Sequence, residues 1–147
     1  VECRVARFVF DAVGVDLKQD LVYGVECKVS RDDFLNFKRK YPVVEEVIED
    51  HFDYFYIVVP KGSRVANRSE VPPPIGLASI LNRSFHEALL PPAMRMLKRA
   101  EKLDRRIPTL SLIKKFEQGS RCNLYHVASK LARGFVLKNE ERPFRTE

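Results

Sequence analysis

Cysteine is scarce in this sequence, with Cys3, Cys27 and Cys122 the only three in 147 residues. An odd number at wide spacing fits neither a disulfide framework nor a paired CxxC zinc pattern, and it points to a reducing compartment. Glycine is also sparse, six in all, which leaves little room for a glycine-rich phosphate loop. The three histidines, His51, His86 and His126, share no spacing suited to zinc. No apolar run approaches the roughly 20 residues that cross a bilayer. No segment opening the chain has the charged, then apolar, then small-residue order of a signal peptide. A cytoplasmic protein with no membrane partner is the expectation.

What is present is enough apolar material for one substantial core, 45% of residues, in a chain too short for two full-sized domains. The net charge is +6, which suggests a polyanionic partner. The surplus is unevenly placed. Residues 1–97 carry thirteen Lys and Arg against fourteen Asp and Glu, while residues 98–147 carry thirteen against six. The basic excess therefore belongs to the C-terminal third, where solvated helix faces would account for it as well as a nucleic-acid surface would.

Residues 4–15 and 21–29 alternate in hydrophobicity and flank Lys18-Gln19, which reads as a β-hairpin. The chain starts in mid-strand, so a preceding native segment is expected. Ser30 followed by Asp33 resembles a capping box, and a helix should begin near Arg31. Pro42 fits the first turn of a second short helix. Residues 52–60 and 75–81 are nearly continuous apolar runs, as in strands covered on both faces, with a loop between them. Residues 84–90 would add an edge strand. From Ala93 onward the spacing of Met94, Leu97, Ala100 and Leu103 is helical, followed by helices opened by Pro108 and ending at Gly134. The expected organisation is a mixed α/β core over residues 1–90, with a basic helical extension over 91–147.

One charged pair stands inside an apolar strand. Strand alternation puts Glu26 and Lys28 on the face that Val22 and Gly24 share, with Cys27 directed to the other face as a core residue. A hairpin turning at Lys18-Gln19 makes paired residue numbers sum to 37, which sets Asp11 opposite Glu26. Facing carboxylates about 4.5–5.5 Å apart repel, and a hard divalent cation, Mg²⁺ or Mn²⁺, would relieve this. The main-chain carbonyl of Cys27 offers a third oxygen. Lys28, about 7 Å along the strand, would stand near the metal without ligating it. An exposed Glu–Lys pair worth ~0–1 kcal/mol satisfies the same spacing. Asp16 and Asp20 are rivals to Asp11, but the register leaves them at the hairpin turn. Asp32 and Asp33 fit a helix N-terminus.

Asp11, the run VECKVSRDDF at 25–34, FDYFYIVVP at 52–60 and IGLASI at 75–80 together resemble the PD-(D/E)XK nuclease superfamily. Within it the likeness is greatest to MmcB-like DNA-repair and Holliday-junction-resolvase-like proteins, and it covers about half the chain. The resemblance implies a restriction-endonuclease-like mixed sheet flanked by helices. It also implies metal binding by Asp11 and Glu26, catalytic assistance by Lys28, and phosphate contacts from Lys38, Arg39 and Lys40. Many relatives carry a further acidic residue on a helix before the first strand, and this chain begins after that point.

Two functions compete on these grounds. One is a Mg²⁺-dependent DNA endonuclease acting in repair or processing, with basic C-terminal helices holding the phosphate backbone; as a homodimer it would present two sites to two strands. The other is a catalytically inactive DNA-binding module on the same scaffold. There the helices at 108–117 and 121–133 form a helix-turn-helix, and Lys114, Lys115, Arg121, Lys130 and Arg133 touch phosphates.

Overall fold

The structure is a computed structural model that describes residues 3–5, 8–80 and 94–119. Among the described residues nine regular elements follow in chain order: strands β1 (Cys3–Val5), β2 (Phe8–Phe10), β3 (Ala12–Asp16) and β4 (Leu21–Cys27); helix α1 (Arg31–His51); strands β5 (Tyr54–Pro60), β6 (Gly76–Ile80) and β7 (Met94–Lys98); and helix α2 (Thr109–Gly119). A short 3-10 turn occupies Arg68–Glu70.

The alternating run at 4–15 does not make one strand. It bends at Asp11, so that β1 and β2 form a separate antiparallel pair while β3 pairs with β4. The hairpin register is the expected one, from Ala12 opposite Val25 to Asp16 opposite Leu21. The Asp16 carboxylate accepts main-chain N–H bonds from Lys18 and Gln19, and Asp20 takes a left-handed φ of 56°, so both serve the turn.

The main sheet runs β3-β4-β5-β6-β7, with β4, β5 and β6 parallel and an antiparallel strand at each edge. A parallel pair needs a crossover, and α1 supplies it between β4 and β5. Ser30 caps this helix, its hydroxyl accepting the Asp33 N–H, and Asp32 and Asp33 complement the positive end. The expected second helix at Pro42 is instead a continuation of α1. The buried residues Phe34, Phe37, Tyr41, Val44 and Ile48 keep one three-four spacing straight through the proline. Burying that uninterrupted stripe outweighs the ~3 kcal/mol penalty of an interior proline, whose ring is on the exposed side.

Under α1 lies the core. Val22, Phe34, Ile48, Phe52, Phe55, Ile57 and Ile75 are fully enclosed, and Phe10 meets Phe52 and Phe55 edge-on at 5.2 and 5.4 Å.

The helical reading from Ala93 is corrected at its start. Residues 94–98 are a strand that closes the sheet against β6, with a register shift at Leu77/Ala78. The sheet thus continues past residue 90, where the sequence suggested a boundary. Residues 99–108 are irregular and pinned by main-chain bonds: Glu101 N–H to Pro74, Leu103 to Asp53, and Arg106 and Ile107 to Asp50. The spacing of Met94, Leu97, Ala100 and Leu103 comes from a strand followed by these anchors, a short apolar pattern that periodicity alone does not separate from a helix. The helix opened by Pro108 is present as α2 and lies against β1. The readings at 84–90 and 121–134, with Arg121, Lys130, Arg133, His86 and His126, lie outside the described residues, and so does the second half of the helix-turn-helix. Among the described residues no helix is long and apolar enough to cross a membrane.

Candidate functional site

Strand β4 carries the pair to the end of the parallel strands. Val22 and Gly24 are buried beneath α1, and a Cβ on Gly24 would come within 2.5 Å of the Phe55 ring. Glycine is what lets that aromatic ring cross the strand. Two residues on, Glu26 and Lys28 leave the same face where α1 begins. The Lys28 N–H donates to the Val58 carbonyl at 2.9 Å, which keeps Lys28 in line with the sheet.

Asp11 stands next to this strand end, just beyond the last β3–β4 pair. Its Oδ2 accepts the Cys27 N–H at 2.6 Å, so a side chain continues the ladder where the main chain of β3 bends away. Cys27 itself is exposed rather than core, because it lies past the Ala12–Val25 pair. Burial raises the Cys27 thiol pKa, and the Asp11 and Glu26 charges raise it further.

Lys28 is only 8% exposed. Its Nζ donates to Glu26 Oε1 at 2.8 Å and to Asp33 Oδ1 at 3.2 Å, and lies 5.6 Å from the Phe37 ring centre. Burial pushes its ammonium pKa down, but the bonds and charges of Glu26 and Asp33 outweigh burial and leave it raised. Glu26 is also raised, chiefly by burial, with the Lys28 bond opposing and the Asp11 charge adding to the rise. The Asp11 main-chain N–H is close enough to lower it slightly. Even so, Glu26 Oε2 is buried and makes no hydrogen bond of normal geometry. An unsatisfied buried carboxylate oxygen is costly, and the Asp11 charge nearby adds to that cost.

The site opens into a cleft of about 240 Å³. Glu26, Lys28 and Asp33 lie on one side, Phe8, Val9 and Phe10 of β2 on another, and Asn36, Phe37, Lys40 and Val44 of α1 complete it. Asp33, expected at the helix N-terminus, also turns its carboxylate to Lys28. The spacing predicts its capping position, whereas the contact with Lys28 depends on how α1 leaves the strand.

The structure brings together Asp11, Glu26, Cys27 and Lys28, with Lys40 at the cleft, and Lys38 and Arg39 exposed on the same helix. It does not bring α2 there. The exposed Lys115 is near enough to His51 to affect its charge, and His51 is the last residue of α1, a helix about 30 Å long at 1.5 Å per residue. Lys114 is its exposed neighbour. His51 is buried with Nδ1 2.8 Å from the Val47 carbonyl, and burial lowers its pKa. Among the described residues no group of three or more His, Cys, Asp or Glu is arranged to hold a metal. Any cation here would rest on two carboxylates and main-chain oxygen.

No family model matches the chain, and no curated protein matches it. Among solved structures, the SPO1766 protein of unknown function from Silicibacter pomeroyi is similar, with a TM-score of 0.53 and 18% identity over 94% of this chain and 76% of that one. At that identity the likeness is one of fold.

Proposed function

We propose that this protein is a metal-dependent DNA endonuclease of the PD-(D/E)XK type that hydrolyses phosphodiester bonds in DNA repair or processing. The observation that carries the reading is the buried, unpartnered Glu26 Oε2 beside Asp11, with the Lys28 ammonium held in the same cleft. Carboxylate oxygens of this kind suit Mg²⁺ or Mn²⁺. Asp11 and Glu26 would hold the ion, with the Cys27 carbonyl as a further oxygen. Such an ion supplies Lewis-acid polarisation of the phosphoryl oxygens and a more acidic bound water.

The protein's own groups do the rest. Lys28 is fixed by Glu26 and Asp33, so its ammonium stays charged at neutral pH and faces the negative charge that grows on a phosphate under attack. Fixing it beforehand avoids reorganisation during the reaction. The test is nicking of supercoiled plasmid with Mg²⁺ or Mn²⁺. Cleavage that needs the metal and disappears in Glu26→Gln supports the reading, and a parent protein that cuts no duplex, branched or single-stranded DNA under any of these conditions refutes it.

A further inference from the structure

The loop after β5 is positioned by contacts that its composition does not reveal. Pro60 pairs with Ile80 and Cys27 with Val58, so the parallel strands β4, β5 and β6 end together and residues 61–70 leave the sheet at the same end as Glu26 and Lys28. This segment carries Lys61, Arg64 and Arg68 against the single carboxylate Glu70. That carboxylate is already engaged. The Arg31 guanidinium at the start of α1 grips both Glu70 oxygens, with Nη1 to Oε2 at 2.7 Å, and also donates to the Val65 carbonyl at 3.2 Å. Glu70 Oε2 in turn accepts the Asn67 N–H at 3.0 Å, closing a capping box on the 3-10 turn. Val65 and Ala66 are buried as hydrophobic anchors, while Arg64 and Arg68 are exposed. Lys38, two turns along α1 from Arg31, adds positive charge near Glu70.

From this we infer that residues 61–70 form a rigid, cationic clamp for the DNA phosphate backbone, with Arg64, Arg68 and Lys38 as its contacts and Arg31–Glu70 as the pair that holds it in place. It rests on DNA being the substrate, as proposed above. Strand spacing puts β6 about 10 Å from β4, a distance equal to about three base-pair rises along the axis of a DNA duplex. A duplex crossing the strand ends would therefore meet Lys28 and the loop cations together. The pairing of Arg31 with Glu70 occupies the segment's one carboxylate and leaves the exposed Arg64 and Arg68 guanidinium groups facing solvent. Planar guanidinium groups in that position suit bidentate phosphate contacts.

The test is fluorescence anisotropy with a short labelled duplex in EDTA, so that cleavage does not intervene, over a range of salt. Arg64→Ala combined with Arg68→Ala should weaken binding at least tenfold and flatten the slope of log K against log salt by about 1.8, two phosphate contacts at ~0.9 each. Glu70→Ala makes the protein more positive, so nonspecific attraction would tighten binding; the clamp requires it to weaken several-fold. Lys18→Ala, at the exposed hairpin turn, should change nothing, and circular dichroism checks that each variant is folded. Unchanged affinity and slope in the double variant, or tighter binding in a folded Glu70→Ala, overturns the clamp, as does a parent protein that binds no DNA. If the parent binds, the double variant weakens, and plasmid is still not cut with metal, the clamp stands and the endonuclease reading falls. The converse, metal-dependent cutting with no loss in the double variant, removes the clamp alone.

Discussion

Two acid–base clusters occupy opposite ends of α1, and they are satisfied to different degrees. At the helix's C-terminal end, Asp53 and Arg105 are both 8% exposed and bonded to each other. Asp53 Oδ2 accepts the Val22 N–H and the Arg105 Nε–H, both at 2.8 Å, and Arg105 also donates to the carbonyls of Ile107 and Asp20. Asp20 bonds the Thr109 hydroxyl as well, so this cluster ties the hairpin turn to the start of α2. No buried oxygen of Asp53 lacks a partner. At the N-terminal end, Glu26 keeps one buried oxygen unpartnered next to a second carboxylate. The Asp53–Arg105 pair fits a structural role, and the oxygen left over at Glu26 is where the proposed cation would bind.

The sharpest way to break this contrast is to cut the saturated network. Asp53→Ala should lower unfolding free energy by about 3–5 kcal/mol, because it leaves Arg105 as an uncompensated buried charge. Chemical denaturation reads this, and metal affinity at the other end should not change. Lys28→Ala should do the reverse, with metal-dependent cleavage falling about 10²–10³-fold and the denaturation midpoint moving far less than in Asp53→Ala. Equal destabilisation by both would erase the distinction. A smaller effect is expected from Ser30→Ala, which removes the cap that sets Asp33 beside Lys28: about 1 kcal/mol of stability, with a measurable loss of cleavage rate.

The smallest effect concerns Glu70. Its bond to Arg31, helped by the Asn67 N–H, depresses its pKa from 4.5 to about 2. A depressed acid contributes stability above its ordinary pKa and loses it as pH falls toward the folded value, so this contribution should fade between about pH 4.5 and 2. Carboxyl-resolved NMR titration should show Glu70 returning toward 4.5 in Arg31→Ala.

Local pattern made much of this legible. The hairpin register, the shared face of Glu26 and Lys28, the Ser30 cap and the two central strands all follow from alternation and turn chemistry. The turn roles of Asp16 and Asp20 follow from the same rules. Three features depended on packing that spacing does not carry. Pro42 stays inside α1 because the buried stripe continues past it, and β7 is a strand because β6 offers it an edge. Cys27 is exposed because β3 bends away one residue before reaching it. Charge counting also pointed away from the site. The basic surplus of residues 98–147 includes Arg105, buried in a structural pair, and Lys115, a helix length from Glu26. The cations lining the cleft, Lys28 and Lys40, come instead from residues 1–97, whose net charge is −1.

The proposed endonuclease needs a divalent cation at the N-terminal end of α1, between Glu26 and Asp11. Soaking crystals with Mn²⁺ and recording its anomalous scattering tests it directly. A peak between Glu26 Oε2 and Asp11, lost in Glu26→Gln, is the expected result. A crystal with Mn²⁺ bound elsewhere, or none between these carboxylates at saturating concentration, would contradict it.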